Sequence, residues 1–68
     1  MIQHMNISRS EISLIIDEWI FSERDRKLLK RRLLDGILYE ELADEFMLSV
    51  RQVKNIVYKG EQTIIRHI

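Results

Sequence analysis

Tyr39-Glu40-Glu41-Leu42-Ala43-Asp44-Glu45-Phe46-Met47-Leu48-Ser49-Val50-Arg51-Gln52-Val53-Lys54-Asn55-Ile56-Val57-Tyr58 carries two apolar stripes at helical spacing with a short break between them. In the first, Leu42, Ala43 and Phe46 fall on one face, so residues 39–46 read as a short helix. Met47-Leu48 leaves room only for a tight connection. Ser49 then opens a second helix, paired with Gln52 in the S-x-x-Q pattern of a capping box. Val50, Val53, Ile56 and Val57 form its apolar stripe, which Ile64 and Ile65 extend. Gly60 weakens that helix and is expected to bend or end it.

Upstream, two more helices are legible. Ser8 and Glu11 make an S-x-x-E capping box, and Ile12, Ile15, Ile16, Trp19 and Ile20 share one stripe, giving a helix over residues 9–20. Ser22 is the next cap. Leu28, Leu29 and Leu33 point one way, and Gly36 stands where a left-handed C-terminal cap belongs, giving a helix over residues 23–35. Two glycines, no proline and no cysteine in 68 residues argue against a sheet of short strands, a disulfide framework or a thiolate metal site. With 46% apolar and 32% charged residues, the composition is that of a globular chain. The reading is therefore all-α: one compact four-helix domain over residues 1–68. Residues 1–21 supply a supporting helix, and residues 39–59 form a C-terminal helix-turn-helix. The apolar stripe of residues 1–21, with Trp19, Ile20 and Phe21, either closes the core or forms an interface. Core closure is favoured, because so small a domain needs a supporting helix.

The net charge is zero, but the charges lie in blocks. Residues 1–21 carry one basic and three acidic side chains, residues 22–36 six and three, residues 37–48 none and four, and residues 49–68 four and one. One face can thus be basic in a neutral chain. Within the helix-turn-helix, Ala43 lets the second helix cross closely, and Leu42, Phe46, Leu48, Val53 and Ile56 fix the angle. That arrangement leaves Val50, Arg51, Gln52, Lys54, Asn55, Tyr58 and Lys59 on the outer or N-terminal surface of the last helix. Arginine and lysine suit guanine edges in a major groove; glutamine and asparagine suit adenine. The free amides beside Ser49 suit a phosphate. The alternative reading is a solvated helix face in a bundle that happens to have alanine at a crossing.

Several segments also resemble region 4 of bacterial sigma factors and related small regulators. They are Arg24-Asp25-Arg26-Lys27-Leu28-Leu29, Arg32, Tyr39-Glu40-Glu41-Leu42-Ala43-Asp44-Glu45-Phe46-Met47-Leu48-Ser49, Val53-Lys54-Asn55-Ile56, and Arg66-His67. The resemblance covers residues 23–68, about two thirds of the chain. It implies that Arg51, Gln52, Lys54 and Asn55 read bases. It implies phosphate contacts for Lys30, Arg32, Tyr39 and Lys59; Ser49 and Tyr58 join that group as polar groups beside the helix start and along the same face. Three positions depart from the family. Leu38 replaces a frequent threonine cap, Met47 a frequent glycine, and Val50 a residue that is often charged. The resemblance implies an isolated region 4, of the kind found in compact regulators of mobile elements and phages.

No catalytic residue, cofactor or metal site is expected, and the chain reads as a non-enzyme. His4 and His67 lie at opposite ends and read as surface residues. Glu40, Glu41, Asp44 and Glu45 read as a solvated acidic face complementing a helix N-terminus rather than a cation site. Double-stranded DNA is the expected partner, through sequence-specific binding by a small transcriptional regulator. RNA polymerase and a second copy of the chain are further candidates. The competing reading is a protein-interaction module that docks on polymerase or another regulator. Residues 1–5 lack the blocks of a secretion signal and no run is long enough to span a bilayer, so the cytoplasm is the expected compartment and no membrane is expected as a partner.

Overall fold

The computed structural model describes residues 7–68; His4 and the N-terminal residues before Ile7 lie outside them. Four helices, α1 (Arg9–Trp19), α2 (Glu23–Leu33), α3 (Tyr39–Phe46) and α4 (Val50–Arg66), make an all-α fold with no strand among the described residues. Three of the four starts are serine caps. Ser8, Ser22 and Ser49 accept from the backbone N–H of Glu11, Asp25 and Gln52. At Ser49 the box is reciprocal, because the Gln52 Oε1 accepts from the Ser49 N–H at 2.9 Å. At Ser8 only half of it forms. There the Glu11 carboxylate accepts from the Ser8 hydroxyl at 3.2 Å. α3 starts at Leu38 with no side-chain cap, since leucine has no acceptor.

α1 and α2 stop one and two residues before the ends expected from sequence. Ile20 is extended and serves as the α1 cap. Beyond Leu33 the chain turns at Gly36, whose φ of +69° is the left-handed region glycine enters freely. The Gly36 and Ile37 N–H groups return to the carbonyls of Arg32 and Arg31. The α3–α4 turn is also left-handed, but at a residue with a side chain: Met47 has φ 56° and ψ 46°. The Leu48 N–H closes it onto the Ala43 carbonyl at 2.9 Å, five residues back.

Every helix contributes to one core. Ile12 and Ile16 come from α1, Leu28 and Leu29 from α2, Leu42 and Ala43 from α3, and Val53, Val57 and Ile64 from α4. Phe46, Leu48 and Ile56 pack half-buried around them, so the residues expected to fix the α3–α4 angle do line the core. No polar side chain is buried among the described residues.

The expectation for Gly60 needs correction. α4 does not end there; it runs on to Arg66. Gly60 is buried, and a Cβ there would lie 2.4 and 2.6 Å from the two Leu29 methyl carbons. The missing side chain is therefore what lets α4 lie against α2. The N-terminal stripe does help close the core, through Ile12 and Ile16 with Ile15 and Ile20 packed against them, but not through its last aromatics. Ile20 packs half-buried, but Trp19 is 44% and Phe21 82% exposed. α1 ends at Trp19, and Phe21 lies on the link to α2.

Candidate nucleic-acid interface

On α4 the core side is set by Val53, Val57, Gly60 and Ile64. At 100° per residue the opposite side carries Arg51, Asn55, Tyr58 and Gln62, all exposed. Lys54 and Lys59, also exposed, flank this row on either side. Gln62 was missed in the sequence reading, although helical periodicity alone places it in line with Arg51. Val50 was expected on the outer surface and is instead half-buried against the core; its apolar side chain gains more there than in water.

Lys54 lies toward the start of α3. Its Nζ is 5.7 Å from the centre of the Tyr39 ring, and the Arg32 guanidinium from α2 lies 4.1 Å from the same centre. One aromatic ring thus holds two cations from two other helices, an attraction worth about 0.5–1 kcal/mol each at sites this exposed. Arg32 is further anchored by donating from Nη1 to the Ile37 carbonyl at 3.0 Å. Beside the ring a shallow groove is lined by Leu38, Tyr39, Glu40, Val50 and Lys54. The uncapped amides at the α3 start belong to this corner, where Arg32, Tyr39 and Lys54 meet.

Other expected site residues are placed differently. Lys30 is not part of this group; its Nζ pairs with Asp17 of α1 at 2.7 Å. Asn55 and Lys59 line a second small cavity, of about 250 Å³, with Ile20, Arg24 and Asp25. Ser49 and Gln52 are engaged with each other. The Gln52 carbonyl is committed to the cap, which leaves its two amide donors for any other contact.

The basic side chains divide cleanly. On α2, Arg24 pairs with Asp25, Lys27 with Glu23, Lys30 with Asp17 and Arg31 with Glu45. Arg26 donates to the carbonyls of Ile20 and Phe21. None of the α4 cations, Arg51, Lys54, Lys59 and Arg66, has an ion pair or side-chain hydrogen bond among the described residues. The acidic side chains of α3 are exposed, and Glu45 is held by Arg31 at 2.6 Å. Among the described residues no group of three or more acidic or histidine side chains is placed to hold a metal ion. Nor is any helix long and apolar enough to cross a membrane.

Comparison with protein-family models, with curated proteins and with solved structures finds no match to this chain.

Proposed function

We propose that the chain binds double-stranded DNA sequence-specifically, as a small cytoplasmic transcriptional regulator of the sigma region 4 type, with α3 and α4 as its helix-turn-helix and α4 in the major groove. The observation that carries this reading is the set of unpaired cations on α4. Arg51, Lys54, Lys59 and Arg66 have no ion pair or side-chain hydrogen bond among the described residues, and three of them fall within nine residues at the start of α4, a grouping that suits an external polyanion. Arg51, Lys54 and Asn55 supply base-edge donors and, for Asn55, an acceptor. Arg32, Tyr39, Tyr58, Lys59 and the free amides after Ser49 face the backbone phosphates. Lys30 drops out of the phosphate set, and Gln52 serves first as a cap.

Titrating a fluorescent random duplex by anisotropy tests this. Binding should weaken with salt, the logarithm of affinity falling by about 0.9 per logarithm of salt for each phosphate contacted. On a selected site, Arg51→Ala with Lys54→Ala should lose about 1–3 kcal/mol per base contact while the helical circular dichroism stays unchanged. Duplex binding indifferent to both salt and the double substitution would refute the proposal. The exposed acids Glu40, Glu41 and Asp44 favour the second reading, docking on RNA polymerase or another regulator. That reading predicts binding to the partner protein that survives the double substitution.

A further inference from the structure

Two cations that no acid neutralises meet on one aromatic ring. Tyr39 is the first residue of α3, and its ring centre lies 4.1 Å from the Arg32 guanidinium of α2 and 5.7 Å from the Lys54 Nζ of α4. Neither cation has an acid partner among the described residues. Glu40 lines the same groove as Lys54 but makes no ion pair with it. Arg51, Lys59 and Arg66, the other cations of α4, rest on no aromatic ring among the described residues. Within that set, Lys54 is therefore the α4 cation whose head group has a support.

A ring and a carboxylate hold a cation differently. A carboxylate accepts from the N–H donors and cancels the charge, as Asp17 does for Lys30. A ring face attracts the ammonium through its quadrupole and adds no net charge. Of the three ammonium donors, those turned away from the ring stay open to an acceptor. Lysine also has a flexible four-carbon stem, so a head group ordered in advance loses less freedom on binding. The support is itself fixed, because Tyr39 packs half-buried against the core. Arg32 is tethered through its Nη1 to the Ile37 carbonyl. Two like charges at one corner repel, and without the ring Lys54 would swing away into water. We infer that Tyr39 is a positioning residue for the DNA contact: its ring, rather than its hydroxyl, keeps Lys54 charged and ordered beside Arg32. This role rests on the DNA reading above and gives Tyr39 a task that phenylalanine can perform and leucine cannot.

One measurement needs no DNA. In nuclear magnetic resonance spectra of the free full chain, the ring current should move the Lys54 ε-methylene protons upfield of the ordinary lysine position. Tyr39→Leu should return them to it, and Tyr39→Phe should keep them displaced. Leucine retains an apolar side chain against the core, and circular dichroism checks that the helices persist. The second measurement is anisotropy on the selected duplex. Tyr39→Leu should weaken binding by about 2–5-fold, the equivalent of one exposed cation–ring contact. Tyr39→Phe should recover most of that loss. In a double-mutant cycle, Lys54→Ala should lose about 2–5-fold less affinity in the Tyr39→Leu background than in the wild type. A purely structural role for the ring would leave the two substitutions additive. Undisplaced Lys54 protons in the wild type, an additive cycle, or Tyr39→Phe binding as weakly as Tyr39→Leu would each overturn the inference while duplex binding stood. The last of these would assign the hydroxyl directly to a phosphate. A wild type that binds no duplex would end the DNA reading and the positioning role with it, whatever the Lys54 protons show.

Discussion

Met47 and Gly60 each reverse what their residue type suggests. Met47, 92% exposed, contributes almost no packing but occupies the left-handed region at φ 56°. For a residue with a Cβ that conformation costs about 1–2 kcal/mol. Glycine relieves it, at an entropic cost of about 0.5–1 kcal/mol. Met47→Gly should therefore stabilise the domain by about 0.5–1 kcal/mol, read as a rise in melting temperature of several degrees. Gly60→Ala is the opposite case. Alanine gains about 1 kcal/mol of helix propensity, but its Cβ meets both Leu29 methyls below 3 Å, so the buried Leu29 side chain has to shift. Overpacking of this kind costs about 1–3 kcal/mol. A net loss of about 1 kcal/mol is expected in urea melts, and a more stable variant would show that Leu29 has room to yield.

At the scale of helices, the sequence was a good guide to starts and a poorer one to ends. Serine caps mark the first residues of α1, α2 and α4 because the cap is a local hydrogen bond. Ends depend on what lies across the molecule, which is why α1 stops before Ile20 and α4 continues through Gly60. The same division holds for the candidate site. Arg51, Asn55 and Tyr58 on the exposed row of α4 were legible because helical periodicity is local. The engagement of Lys30 with Asp17, and of Gln52 with its own cap, was not, because a list of residue types does not say which partners are in reach. Ala43 belongs to the legible part. It is buried in the core, and its carbonyl closes the turn into α4. Ala43→Leu adds volume where α3 packs and should destabilise the domain by about 1–3 kcal/mol. In a domain of this size that lowers the melting temperature by about 4–8 °C per kcal/mol. An unchanged melting curve would mean that α3 and α4 do not need a small residue between them.

For the molecule as a whole, zero net charge is the sum of two different situations. The six cations of residues 22–36 are held in internal contacts, most of them with acids of α1, α2 and α3. These are exposed or half-exposed pairs, each worth less than about 1 kcal/mol, so their main effect is to neutralise that side of the molecule. The four cations of α4 are left uncompensated, while Glu40, Glu41 and Asp44 of α3 stay exposed and unpaired among the described residues. If α4 enters a groove, the α3 acids approach the same polyanion and oppose binding without touching a base. In water, a unit charge about 10 Å from a phosphate is worth about 0.4 kcal/mol. Glu40→Gln with Glu41→Gln should then tighten duplex binding about fourfold at low salt. Screening should erase most of that gain at physiological ionic strength, where the Debye length is about 8 Å. Because the removed repulsion is long-range, preference among DNA sites should not change. A protein-docking module would respond in the other direction: removing two acids from its contact face weakens attachment to a basic partner and leaves random duplex unbound at every salt concentration.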